Sequence, residues 1–74
     1  METRQQVALV ERQIAGTKEL IAKQLELLER LHRDGRQTKE AEKLLASLVD
    51  SLGAYETFRE QAADRLAGAS DLNL

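Results

Sequence analysis

His32 is the only histidine in the chain. A phosphoryl-accepting histidine would need an exposed position in the middle of a helix, within a phosphotransfer motif. His32 instead stands directly before Arg33-Asp34-Gly35, where the glycine predicts the end of a helix. Positive charge in a last helical turn stabilises the helix dipole, so we interpret His32 as a helix-end residue.

Ser47 and Asp50 are the other residues whose types could do chemistry. Small two-helix hairpins of the sporulation-type aspartyl-phosphate phosphatase family carry a Ser and an Asp four residues apart on the second helix, and they act on a response regulator. In this chain the two residues are three apart, and Leu48 stands where that motif has Gln. The architecture looks similar, but the changed spacing favours a solvated Asp50 and a small boundary Ser47.

The remaining residues predict no reaction. The chain has no Cys, and one His cannot build a zinc site unless several carboxylates converge on it. Gly35 stands alone and forms no phosphate-binding loop, and no nucleophile has a base at a recognisable spacing. We therefore expect a protein that is not an enzyme and that has no catalytic, cofactor-binding or metal site.

The composition indicates which cellular environment and which partners to expect. The formal net charge is −2 with both signs interspersed, which predicts no nucleic-acid partner and no attraction to anionic lipid. The longest apolar run, Val7 to Val10, is too short to span a membrane, and the N-terminus lacks the apolar core of a signal peptide. We expect a cytoplasmic protein.

The elements that position these residues are two long helices. Ala, Leu, Glu, Gln, Lys and Arg dominate and favour helix, and Pro is absent. Apolar residues recur in steps of three and four, which predicts a helix over about 3–34, a turn over 35–38 and a helix over about 39–67. Thr38 suits an N-cap, and Gly68 is expected to end the second helix, leaving 68–74 frayed.

The apolar stripes of the two helices mirror each other about the turn. This mirror predicts an all-α fold, an antiparallel two-helix hairpin that forms a single domain over 1–74. It places Ile21 opposite Leu52. The other predicted pairs join Leu31 with Ala41, Leu28 with Leu44, Leu25 with Leu48, Ile14 with Phe58, Val10 with Ala62 and Val7 with Leu66.

A second line of apolar residues lies beside the main apolar stripe of the first helix. The apolar stripe of the second helix is widened in the same way. A lone hairpin would leave this line in water, so we expect a homodimer that forms a four-helix bundle. The alternative is a docking face for a different protein. The candidate dimer or partner interface consists of Leu9, Gly16, Leu20, Gln24, Leu27, Leu45 and Val49.

Several residues on these faces have two interpretations. Thr17 and Gln24 interrupt the apolar face, where they could fix the register or lie half-solvated at its rim. Gly16 could allow another helix to approach closely, or the lack of a side chain there could simply be tolerated by the fold. Arg59 lies in the middle of the second stripe, where we expect its stem to cover apolar surface and its head to pair with a carboxylate such as Glu11.

The segment Ile14 to Leu66 resembles a group of small proteobacterial helical-hairpin proteins with no known activity. Their pattern has a Leu-x-x-Leu-x-x-Asp-Gly turn and an Ala-x-x-Leu-Leu second helix. Gln37 stands where an Asp is frequent in that group. The matching residues are Leu28, Leu31, Asp34, Gly35, Thr38, Ala41, Leu44 and Leu45. The resemblance implies a bacterial, cytoplasmic and non-enzymatic protein.

Together these patterns predict a non-enzymatic protein–protein interaction or oligomerisation module without a cofactor. The alternative is a regulator of phosphotransfer signalling that docks a helix face on a response regulator or a histidine kinase.

Overall fold

The structure, a computed structural model, describes the backbone of residues 3–72 and the side chains of residues 3–68. It contains two helices, α1 over Thr3–Arg33 and α2 over Lys39–Leu72, which pack against each other as a hairpin. The helices have 31 and 34 residues, so helix covers more than the four-fifths of the chain that propensity predicts. The all-α fold and the hairpin are confirmed.

The turn ends α1 in the way that the sequence predicts. Gly35 has a φ of 67°, in the left-handed region that suits glycine. The Arg36 amide donates to the Leu31 carbonyl at 2.8 Å, and the Gly35 amide donates to the His32 carbonyl at 3.2 Å. These two bonds form a Schellman motif, which satisfies carbonyls that a helix end would otherwise leave unpaired.

Thr38 is the residue that precedes α2, as predicted for an N-cap. Its carbonyl accepts the first helical hydrogen bond, from the Glu42 amide, at 2.8 Å. Its hydroxyl lies 3.3 Å from a carboxylate oxygen of Glu42, within hydrogen-bonding distance. Glu40 and Glu42 place negative charge in the first turn, where the helix dipole favours it.

The predicted end of the second helix is wrong. Helix α2 continues through Gly68 to Leu72, beyond the predicted end at Ala67, and residues 73–74 of the predicted tail lie outside the described residues. Gly68 has no positive φ, unlike Gly35. A glycine costs about 1 kcal/mol inside a helix but does not end it unless the chain turns there, and no proline follows.

The two helices meet along a seam with alternating steps of three and four, the spacing of a coiled coil. On α1 the most buried seam residues are Val10, Ile14, Thr17 and Gln24. On α2 they are Ala41 and Ala62, and half-buried residues at the same spacing complete the seam: Leu45, Leu48, Leu52, Tyr55, Arg59 and Leu66.

The predicted register of the hairpin is wrong by one heptad. The Gln24 amide Nε2 donates to the Ala41 carbonyl at 3.0 Å, so Gln24 lies beside Ala41. Near the other end, Val10 and Gln13 line one groove together with Tyr55. Both contacts require Ile21 to lie level with Leu45, about 10 Å along the helix from Leu52, its predicted partner.

The sizes of the facing side chains fit this register. Continued along the seam, it sets Gln24 against Ala41, Thr17 against Leu48 and Val10 against Tyr55, so that a large side chain meets a smaller one. The predicted register would have set the Gln24 amide level with Leu48, whose larger side chain shields the backbone carbonyl that Ala41 leaves accessible. The shift also staggers the helices, in keeping with a molecule 62 Å long.

Candidate interaction surface

Two long sides of the hairpin flank the seam, and they differ in charge. Residues seven apart along a helix point in nearly the same direction, so a groove-lining residue identifies the side on which its heptad neighbours lie. One side contains Gln6, Leu9 and Gln13 of α1 with Ala54 and Phe58 of α2. The opposite side contains Leu25, Glu29 and His32 with Thr38 and Glu42.

We call the first of these the uncharged side. It also contains the heptad neighbours Leu20 and Leu27, which follow Gln13 by seven and fourteen residues, and Leu44 and Ser51, which precede Phe58 by fourteen and seven. Its lining residues are therefore Gln6, Leu9, Gln13, Leu20, Leu27, Leu44, Ser51, Ala54 and Phe58. None of these nine residues is ionisable, but the same heptad lines also carry Lys23 and Arg30 beyond Leu9, Glu40 before Ala54 and Arg65 beyond Phe58.

A shallow groove occupies one half of the uncharged side. Leu9, Val10, Tyr55 and Phe58 give it apolar walls, and its volume is about 370 Å³. Gln6 and Gln13 lie along the α1 wall and Ala54 along the α2 wall. The groove lies where α1 presents two glutamines beside Leu9 and α2 presents an alanine beside Phe58.

A ridge occupies the other half of the uncharged side, nearer the turn. Leu20 and Leu44 form it, because the register of the seam brings them level with each other. Each is 52% exposed. Leu27 extends the ridge toward the turn and is half-buried. Two half-exposed leucines side by side, without a charged residue between them, form an apolar patch that water solvates poorly.

The predicted interface residues do not all reach this surface. Leu9, Gly16, Leu20 and Leu27 of the prediction lie on the uncharged side or along its edge. Gln24 is buried in the seam with 8% exposure, its amide bonded within the hairpin, and Leu45 also belongs to the seam. Val49 follows Glu42 by seven residues, which places it on the opposite side.

Leu44 and Phe58 are the surface residues that the sequence analysis missed. The mirror pattern places both in the seam, but both are exposed and lie beside the groove or on the ridge. The signal that could have found them is the strict alternation of three and four on α2. That alternation runs through Leu45, Leu52 and Arg59 and leaves Leu44 and Phe58 one position outside it.

Gly16 lies at the edge of the uncharged side, and the hairpin itself does not require a glycine there. A Cβ added at Gly16 would meet no side chain within 4 Å, and its φ is not positive. The fold of one chain therefore has ample room for a larger residue at this position. The absence of a side chain leaves the backbone of α1 open to close approach from outside.

Thr17 and Gln24 do not lie half-solvated at the rim, which was one of the two interpretations that the sequence left open. Both are buried, with 7% and 8% exposure, and both lie in the seam and not at its rim. Arg59 is half-buried in the seam near Val7, but its predicted ion pair with Glu11 is absent. Within the described residues the one ion pair joins Lys43 Nζ and Glu40 Oε1, 3.7 Å apart.

The chemically versatile residues lie apart from the uncharged side's groove and ridge. His32 lies in the last turn of α1 on the opposite side, beside Arg33 and Glu42. Ser47 and Asp50 are both exposed on α2. Among the side chains that the structure describes, no three of His, Asp or Glu come close enough to hold a metal ion.

Neither helix, over the part of the chain that the structure describes, is long and apolar enough to cross a membrane. The chain matches no known protein family, no curated protein and no solved structure. Fold and surface together define an antiparallel helical hairpin with one uncharged, partly apolar side.

Proposed function

We propose that this hairpin is a non-enzymatic association module that pairs with a second copy through its uncharged side, giving a four-helix bundle. The observation that carries the proposal is the gathering of exposed Leu9, Leu20, Leu44 and Phe58 on one side of the hairpin. Soluble monomers rarely expose contiguous apolar surface of this kind unless it binds something.

The thin core of the single hairpin supports the same proposal. Only four apolar residues are buried within the described part of the chain: Val10, Ile14, Ala41 and Ala62. Two of them are alanines, which contribute little apolar area. Completely burying a Leu or a Phe contributes about 1.5–3 kcal/mol, so covering the ridge and Phe58 would add several kcal/mol to a marginal domain.

The test is the oligomeric state of the chain and of variants with charge on the ridge. Light scattering and sedimentation equilibrium at micromolar concentration should show a dimer. Leu20→Lys combined with Leu27→Lys should dissociate it and largely unfold the chain, because two ammonium groups would be buried against apolar surface.

A matched control lies on the opposite side of the hairpin. Leu25 and Val49 are 49% and 50% exposed, close to the exposure of the ridge leucines. Leu25→Lys combined with Val49→Lys adds the same charge and should leave the dimer intact. If both double variants dissociate equally, the uncharged side has no special role.

A wild-type chain that stays monomeric and cooperatively folded would reject the homodimer. The uncharged side would then be a docking face for a different protein. Binding of a response regulator receiver domain or a histidine kinase, lost in the Leu20→Lys variant, would support the phosphotransfer alternative.

A further inference from the structure

The groove and the ridge lie at different levels of the same side, and their separation is similar on both helices. Along α1, Leu9 beside the groove and Leu20 on the ridge are separated by about 16 Å at 1.5 Å per residue. Along α2, Phe58 beside the groove and Leu44 on the ridge are separated by about 21 Å on the same basis. Each helix thus contributes one apolar residue to each feature.

The midpoints of these two separations coincide. The midpoint of Leu9 and Leu20 falls between Ile14 and Ala15, and the midpoint of Leu44 and Phe58 falls at Ser51. The register that Gln24 and Ala41 establish sets Ala15 level with Ser51 to within one residue, about 1.5 Å along the helix. One point on the uncharged side therefore lies halfway between groove and ridge on both helices at once.

We infer that two copies stack with their uncharged sides together about a two-fold axis that crosses the helices at this midpoint. The rotation brings α1 antiparallel to α1 of the partner copy and α2 antiparallel to α2 of the partner copy. Leu20 and Leu44 of each copy then fill the groove beside Leu9 and Phe58 of the other. The inference rests on the proposed self-association and specifies its geometry.

Small residues near the axis permit the close approach that this packing needs. Gly16 and Ser51 lie near the level of the axis, and Ser47 and Ala54 lie one turn to either side of Ser51 on α2. Lys23 follows Leu9 by fourteen residues and Glu40 precedes Ala54 by fourteen, so both lie along the edge of this side, where the long Lys23 stem can extend its ammonium group to solvent.

The available surface is large enough for a stable dimer. The hairpin exposes 5912 Å² in total, and a rod with four long sides has about a quarter of this, roughly 1,500 Å², on each, against about 800 Å² per partner in a standard interface. Even incomplete overlap of the two copies would therefore bury a standard area.

A two-fold axis parallel to the helices is the competing arrangement. It would set ridge against ridge and groove against groove, so that the two grooves of about 370 Å³ would face each other. Facing grooves leave their walls without contact atoms, which forfeits dispersion energy. The crosswise axis fills both grooves with the side chains that each copy already exposes.

Distances between identical positions in the two copies separate these arrangements. The chain has no Cys, so Arg12→Cys and Glu26→Cys each introduce a single spin-label site in the full-length protein. Both residues are exposed on α1, and fourteen residues separate them along one line of the helix, away from the seam. Neither change touches the uncharged side.

The crosswise axis predicts unequal distances in pulsed dipolar spectroscopy. The axial separation of the two labels should be about 8 Å for Arg12→Cys and about 35 Å for Glu26→Cys, from 1.5 Å per residue on each side of the midpoint. Equal distances at both sites in a dimer would overturn this inference and leave the proposed self-association standing. A monomeric mass for the labelled chains would overturn the proposed function itself.

Disulfide formation between mixed variants gives a second, independent measurement. Leu9→Cys mixed with Leu20→Cys should form a mixed disulfide more readily than either variant alone, because the crosswise axis brings these positions together. Faster linkage in Leu20→Cys mixed with Leu44→Cys would support the parallel axis and overturn the inference.

Discussion

The Gln24 side chain donates a hydrogen bond across the hairpin to the backbone carbonyl of Ala41, over 3.0 Å. Gln24 is buried, and Ala41 opposite it is small enough to leave its carbonyl accessible. A buried amide without a partner costs about 1–3 kcal/mol, so this bond favours one alignment of the helices over alignments that lack it. The hydrogen bond between Gln24 and Ala41 thus helps to fix the register of the whole seam.

The first prediction tests the register directly. Ile21→Cys with Leu45→Cys should form an intrachain disulfide readily, because the register sets these seam positions level with each other. Bridged Cα atoms lie about 4.4–6.8 Å apart, so Ile21→Cys with Leu52→Cys should cross-link poorly, about 10 Å out of register. Mass spectrometry of oxidised, dilute samples reads out the bond. Preferential linkage of the second pair would restore the register that the mirror pattern predicts.

The second prediction concerns the hydrogen bond between Gln24 and Ala41. Gln24→Leu should change the free energy of unfolding by about 1 kcal/mol or less, because one modest hydrogen bond is exchanged for apolar burial. It should also raise the cross-linking of the Ile21→Cys, Leu52→Cys pair, since a leucine carries no penalty in the slipped register. Gln5→Leu is the matched control, at an exposed glutamine outside both the seam and the uncharged side, and it should leave this cross-linking unchanged. Unaltered cross-linking in the Gln24→Leu variant would show that side-chain sizes alone set the register.

The third prediction is that replacing Gly with Ala changes the free energy of unfolding in opposite directions at two positions. Added Cβ atoms at Gly35 and Gly53 meet no other side chain, so clashes do not distinguish the two glycines. Gly35 has a positive φ, and Gly35→Ala should destabilise the fold by about 1–2 kcal/mol. Gly53→Ala should stabilise it by about 0.5–1 kcal/mol, because the helix interior favours alanine. Urea denaturation of both variants checks the signs, and equal signs would contradict the role assigned to the turn.

The fourth prediction separates folding from association at Gly16. Gly16→Ala should raise helical stability by about 0.5–1 kcal/mol, as Gly53→Ala does, because the hairpin has room for the methyl group. It should nevertheless weaken the dimer measured by sedimentation equilibrium, since Gly16 borders the contact between copies. Gly53→Ala lies away from the uncharged side and should leave the dimer unchanged. A dimer unaffected by Gly16→Ala would mean that the glycine has no role in the contact between copies.

The fifth prediction concerns the one histidine. His32 is exposed in the last turn of α1, where it lies near the carbonyl end of the helix. His32→Gln should change the free energy of unfolding by at most about 1 kcal/mol, the scale of a charge at a helix terminus. Circular dichroism during urea unfolding measures the change. Phosphoryl labelling of His32 by a donor and a cognate kinase would contradict the helix-end role.

The elements of this fold could be predicted from the sequence because the signals that define them are local. Strong helix formers, the spacing of Val10 and Ile14, and the left-handed Gly35 act within a few residues, and both long helices and their turn appear as expected. Gly68 shows the limit of such signals. Its residue type permits a helix end, but the surrounding residues continue the helix.

The candidate surface could be predicted only in part. Leu9, Gly16, Leu20 and Leu27 form a line on one helix, and such a line can be read without knowing the partner helix. Leu44 and Phe58 could not be assigned in the same way. Their side of α2 depends on which of two adjacent apolar lines enters the seam, and that choice belongs to the packing.

The sequence by itself determined two amphipathic helices and a turn that reverses the chain. The tertiary structure alone decided the register and, through it, which residues share a surface. The physical reason is that a stripe repeating every seven residues still sets apolar residues against apolar residues after a slip of one heptad. Apolar matching therefore hardly distinguishes the two registers. The buried Gln24 amide needs an acceptor, and only the observed register gives it the Ala41 carbonyl.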